Sequence, residues 1–200
     1  MTQKNIIDLQ TDEYEVSQKD HDAIKELIEG SGYKLRDIRC DTHAIGGPVW
    51  FPTGLILSMG SHLFDAVLAV ICAKGLDMII ASYKRIANKS SYSGVNLVAD
   101  INKNLSVYFD LDTYNYETGE IITNQKLIAQ AIKKISPTFN QLLPLLTNDL
   151  LEFLGKPMRI IMRYDFQIKK WLIFDHDSNA SIYFADTAFE HKKPPSFPLF

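Results

Sequence analysis

FPTGLILSMGSHLFDAVLAVICAKGLDMIIASYKRIANK, from Phe51 to Lys89, is the stretch on which the fold turns. It is the longest apolar run of the chain, and it ends in the basic residues Lys84, Arg85 and Lys89. Leu55, Ile56, Leu57, Met59, Leu63, Phe64, Val67, Leu68, Val70 and Ile71 would cover most of the circumference of one helix. Thr53 can cap that helix, with Pro52 setting its entry. Ser58, Ser61, His62 and Asp65 follow the i, i+3, i+4, i+7 spacing, so they form one narrow polar seam. Lys74-Gly75 reads as a break, after which Leu76, Met78, Ile79 and Ile80 carry a second amphipathic set to Ala87. A span of this length can also cross a bilayer. Asp65 argues against that, because a charge at the centre of a span costs about 2.5–3.5 kcal/mol on insertion scales. The reading is therefore a nearly buried central helix, with membrane insertion of residues 51–73 as its alternative.

Outward from this helix the chain alternates between the two periodicities. On its N-terminal side, Ile6, Ile7 and Leu9 suggest a tail or a short strand. Ser17-Gln-Lys-Asp20 resembles a capping box. Ala23, Ile24, Leu27 and Ile28 then mark a helix that Gly30 stops in the left-handed region. Tyr33 to Cys40 reads as a half-exposed strand, and His43 to Pro52 as a Gly/Pro loop. On the C-terminal side, Val95–Ile101 and Leu105–Leu111 alternate with period 2 around Asn102-Lys-Asn104, which predicts a hairpin. Thr123 can cap a helix carrying Leu127, Ile128, Ala131, Ile132 and Ile135. Ser136-Pro137 opens another, rich in leucine, with Pro144 as a kink. Residues 158–166, 170–174 and 180–185 read as a three-stranded meander. The expected fold is α+β: antiparallel strands (hairpin 95–111 and meander 158–185) packed on a long apolar central helix and two C-terminal-half helices. Residues 1–186 would form one domain, with a possible sub-boundary near 113–123, and 187–200 a Pro-rich tail.

Composition excludes more than it assigns. The 200 residues are 46% hydrophobic and 22% charged, as a globular chain is. A net charge of −3 gives no electrostatic footprint for nucleic acid. Cys40 and Cys72 are the only cysteines, too few for a disulfide framework or a zinc site. Met1 to Val16 is polar and acidic, without the apolar core of a secretory signal, so a cytoplasmic setting is expected.

No nucleotide-binding glycine motif or nucleophile elbow is present. His62 and Asp65 at i, i+3 can bring two ligands to a metal, but nothing nearby completes a set. Asp110, Asp112, Asp175, His176 and Asp177 are weak metal candidates, since they sit where strand ends and turns call for polar residues. No cofactor is expected. Lys169, Lys170, Trp171 and Arg163 suggest a basic-aromatic patch, which edge-blunting lysines explain better. Trp50, Phe51, Trp171 and Tyr183 are the aromatics best suited to anchor a partner.

The order of elements through residue 113 carries a resemblance. A helix (20–29) and a strand (34–41) precede a Gly/Pro loop, and an apolar helix carries Leu57-Ser-Met-Gly-Ser61. A basic end, Tyr83-Lys-Arg85, and the hairpin 95–111 follow. This order resembles the effector-associated constant components of bacterial conflict systems, although the basic end is thinner than the Arg-rich end of that family. The resemblance implies an accessory adaptor that works by binding an effector protein and not by catalysis, and homo-oligomerisation is compatible with that role. An immunity protein that blocks a toxin is the nearest alternative, with Asp110, Asp112, Asp175 and Asp177 facing a basic nuclease site. A metal-dependent hydrolase is a remoter one.

Overall fold

The computed structural model describes residues 6–40, 54–89, 94–112, 114–115, 120–122, 124–146, 159–175, 180–185 and 188–191. At residues 40, 112, 114–115, 120–121, 175, 180–185 and 188–191 only the backbone is described.

Strand β1 (Ile6–Asp12) alternates faces, burying Ile7, Leu9 and Thr11. Helix α1 (Gln18–Glu29) begins at the expected cap: the Asp20 amide donates to Ser17 Oγ at 3.2 Å. Its end departs from expectation. Gly30 stays right-handed at φ −64°, and the positive φ falls at Gly32, at 87°. Strand β2 (Lys34–Cys40) then pairs parallel to β1.

The central stretch divides where a single helix was expected. Gly54–Gly60 is strand β3, and the helix starts only at Ser61. A short apolar run bounded by glycines fits either period, and pairing decides it here. β3 lies between β1, antiparallel, and β4, parallel, so both of its edges are hydrogen-bonded. Leu55, Leu57 and Met59 point into the core, while Ile56, Ser58 and Gly60 point the other way. Gly54 permits the pairing with β4 (Gly94–Asn102): at φ 111° it abuts Gly94, whose carbonyl oxygen would lie 2.3 Å from a Cβ.

From Ser61 the chain stays helical to Lys89 as α2 (Ser61–Val70), a π turn (Ile71–Gly75) and α3 (Leu76–Lys89). Lys74-Gly75 therefore does not break the helix. Gly75 lets α1 approach instead, since a Cβ there would stand 2.3 Å from Leu27 Cδ2. Among the described residues, no helix is long and apolar enough to cross a membrane.

The hairpin of β4 and β5 (Leu105–Asp112) forms as expected, with the Asn104 amide donating to Asn102 Oδ1 at 2.8 Å. β6 (Tyr114–Asn115) and β7 (Glu120–Ile121) pair in the stretch where a sub-boundary was considered. The cap of α4 (Gln125–Lys133) is Asn124, not Thr123, because Asn124 Oδ1 accepts from the Lys126 amide at 3.0 Å. α5 (Ile135–Leu142) starts one residue before Ser136 and gives way to a 3₁₀ turn holding Pro144. β8 (Arg159–Asp165), β9 (Lys170–Asp175) and β10 (Ala180–Ala185) form the expected meander, and β11 (Ala188–His191) extends it.

Among the described residues the main sheet has nine strands in the order β11-β10-β9-β8-β5-β4-β3-β1-β2. It is mixed, not antiparallel throughout. β1–β2, β3–β4 and β5–β8 are parallel pairs, each joined through helices, because a parallel pair needs a long crossover. One core joins the described helices to one side of the sheet. Phe64 of α2 stacks on Phe109 of β5 at 5.6 Å and meets Phe139 of α5 at 4.7 Å. Trp171 of β9 meets Phe109 edge-on at 5.2 Å. Each such ring contributes about 1.5–3 kcal/mol by burial.

Candidate functional site

Because period 2 alternates faces, the helix-packed strands turn a second set of side chains to the other side of the sheet. In register across β4, β5, β8 and β9 these are Val98, Tyr108, Ile161 and Phe174. Tyr108, Ile161 and Phe174 are half-buried, whereas Val98 and Asn96 of β4 and Leu172 of β9 are buried on this side, so the face is open only in that no described helix lies on it. Two arginines frame them. The Arg159 guanidinium lies 5.6 Å from the Tyr108 ring centre, and that of Arg163 lies 3.8 Å from the Phe174 ring centre. Arg163 Nε also faces Asp110 Oδ2 at 3.8 Å. Toward the β3 end of the same face, Asp100 accepts from Ser58 Oγ at 3.0 Å and from Ser106 Oγ at 2.7 Å. The result is one apolar row with charged side chains at its rim, a composition suited to contact.

A second polar cluster lies on the helix side, where α1 crosses β1 and β2. The His21 ring is held between Thr11 Oγ1, 2.9 Å from Nδ1, and Asp37 Oδ2, 3.0 Å from Nε2. Lys25 Nζ donates to the same Asp37 oxygen at 3.5 Å. Burial pushes the Asp37 carboxyl up, but the hydrogen bond and charge of His21, then those of Lys25, hold it below its ordinary 3.8. Next to it, Arg85 of α3 clasps Asp20, which also accepts from Ser17 Oγ at 2.8 Å. The Thr11–His21–Asp37 order imitates a nucleophile–base–acid relay. Thr11 is 0% exposed, however, so its hydroxyl meets no substrate. The cluster ties α1 to the strand pair beneath it.

The residues singled out from sequence are dispersed. Ser58 belongs to β3 and not to a helical seam, because the strand ends at Gly60. Ser61 and His62 open α2, and the His62 ring folds back over Gly60, where a Cβ would come within 2.8 Å of it. Asp65 faces α5, accepting from Ser136 Oγ at 2.6 Å and from Asn140 Nδ2 at 3.0 Å. The seam is thus three separate contacts. Trp171 is 3% exposed and donates from Nε1 to the Ala131 carbonyl at 3.0 Å. Tyr183 lies on β10, whose side chains are outside the description, as are those of Asp112 and Asp175. Trp50, Phe51, His176 and Asp177 lie outside the described residues. Among the described residues no three His, Cys, Asp or Glu side chains converge as a metal site would require.

Tyr108, Ile161, Phe174 and Arg159 were not singled out. The alternation of β5 already turns Tyr108 away from Phe109, and that of β8 turns Ile161 away from Ile160 and Met162. Their adjacency across the β5–β8 crossover has no signal in the sequence. Comparisons with protein-family models, with curated proteins and with solved structures return no match.

Proposed function

We propose that this chain is a non-enzymatic interaction protein, an accessory component of a bacterial conflict system, and that it binds a partner protein on the open face of its sheet. The observation that supports the reading is the Tyr108–Ile161–Phe174 row, which no described helix covers and which two arginines frame. Tyrosine and arginine are enriched at interface hot spots, because each adds apolar area to a directional polar contact. The partner would lay an apolar side chain over the row and set carboxylates against Arg159, which is exposed. The sequence resemblance to effector-associated constant components makes an effector protein the partner to try first, although Leu57 to Gly60 of that pattern lie in strand β3 and not in a helix.

The test pairs the purified chain with any effector protein found encoded beside it and measures the dissociation constant. Tyr108→Ala and Arg159→Glu are each expected to weaken binding by about tenfold or more. Lys126→Glu, on the exposed start of α4, is expected to leave it unchanged. Equal loss from all three substitutions, or from none, would refute the open face as the binding surface.

A further inference from the structure

Strand β2 ends the sheet, and among the described residues it pairs only with β1. Its sequence, Lys34-Leu-Arg-Asp-Ile-Arg-Cys40, is dense in charge. Charges on an edge strand oppose pairing with other chains. They also decide which pairing, if any, is permitted, since cross-strand neighbours of like sign repel and those of opposite sign attract.

We propose that β2 is the interface of a two-fold homodimer, in which two copies pair antiparallel about Ile38. Side-chain parity restricts the choice. A register that keeps each copy's helix side on one side of the joined sheet must be centred on a residue. Centring on Lys34, Arg36, Asp37 or Arg39 sets that charge against itself. Centring on Leu35 sets Lys34 against Arg36 twice. Centring on Ile38 sets Ile38 against Ile38 and Asp37 against Arg39, the latter twice by symmetry, with Arg36 opposite Cys40. Of the centres from Lys34 to Arg39, this one alone opposes no like charges.

The side chains on this edge match that register. Asp37 and Arg39 share the helix side, since they pair with Leu9 and Thr11 of β1, which are buried there. The bonds to Asp37 from His21 and Lys25 both go to Oδ2, and the Asp37 side chain is 34% exposed. Arg39 is half-buried and bonds Gln18 through one terminal nitrogen, so its guanidinium stays beside the strand on the helix side. Each copy therefore carries one carboxylate and one guanidinium two residues apart on the same side, and the two-fold axis brings them opposite each other. This edge is separate from the open face, so loss of one interaction leaves the other measurable.

Sedimentation velocity of the full chain over a concentration series tests the proposal. A reversible dimer is expected. Arg39→Asp should raise its dissociation constant by about tenfold or more, because two attractive pairs become repulsive. Asp37→Arg should do the same, and the combined swap should restore dimerisation. Asp37 also holds His21, so a second measurement covers the case in which Asp37→Arg does not fold. Ile38→Cys in a Cys40→Ser, Cys72→Ser background should form a disulfide-linked dimer on mild oxidation, and Leu35→Cys in that background should not. A wild-type chain that stays monomeric overturns the proposal. So does a dimer that Arg39→Asp leaves intact, or cross-linking that is as efficient through Leu35→Cys.

Discussion

Tyr108 and Phe109 are neighbours on β5 and face opposite sides of the same sheet. Phe109 is fully buried in a ring cluster supplied by α2, α5 and β9. Tyr108 is half-buried beneath Arg159, in a row that no described helix covers. Both faces hold aromatics, yet their contacts differ in kind. On the helix side rings meet rings and aliphatic chains, so removing one leaves a cavity. On the open side rings meet arginine planes, and a lost ring exposes little. The comparison teaches that the apolar content of a strand does not reveal its role. What matters is whether the neighbours on that side are fixed by the chain itself.

The sharpest way to break this comparison is to truncate each neighbour. Phe109→Ala is expected to cost about 3–5 kcal/mol of unfolding free energy, the usual range for a buried ring. Tyr108→Ala should cost about 1 kcal/mol, in line with its partial burial. Chemical denaturation measures both. Equal costs would mean that the open face is packed as tightly as the helix side, and the proposed binding surface would then lack a basis.

A smaller effect tests how the helix layer is assembled. Gly75→Ala places a methyl group where Leu27 Cδ2 now stands. Leu27 can turn away because its end is flexible, so the cost is the overpacking range of about 1–3 kcal/mol. A neutral or stabilising result would show that the contact of α1 with the π turn is loose. A helix-propensity argument alone would have favoured alanine at this position.

Much of this architecture could be read from the chain. The hairpin and the meander follow from period 2, and α1 from its cap and its apolar stripe. Residues 54–60 could not be assigned this way. Leu55, Leu57 and Met59 fit a strand face as well as a helix face, and only pairing with β1 and β4 separates the two. The β1 partners lie 44 (Thr11↔Leu55) to 50 (Asp8↔Ser58) residues away, and the β4 partners lie 40 residues away across the α2–α3 crossover, so no local window contains them. The same holds for the open face. Alternation gives the side on which Tyr108 lies, but its neighbour Ile161 arrives through a parallel pairing with β8. Charge clusters misled for a related reason. Asp65 and Ser58 share helical spacing only if one helix spans both, and the strand-to-helix change at Gly60 separates them.

The smallest expected effect concerns the clasp beneath α1, and it has a defined pH window. His21 and Lys25 hold the Asp37 carboxyl below its ordinary 3.8, against the opposing push of burial. A carboxyl with a depressed folded-state pKa stabilises the fold at any pH above its unfolded value, and that contribution disappears as pH falls through the folded value. Asp37→Asn removes the charge while nearly preserving shape. Wild type should therefore exceed this variant in stability by a constant margin above about pH 5, and the margin should narrow below 3.8 as the carboxyl takes up its proton. Denaturation midpoints measured in parallel from pH 6 downward give the difference directly. The other groups facing Asp37, namely His21, Lys25 and Arg39, are present in both proteins, so the difference isolates the carboxyl to first order. A margin that stays flat through the acid range would show that Asp37 carries no preferential charge stabilisation. The tie between α1 and β2 would then rest on packing and on the Thr11–His21 bond alone.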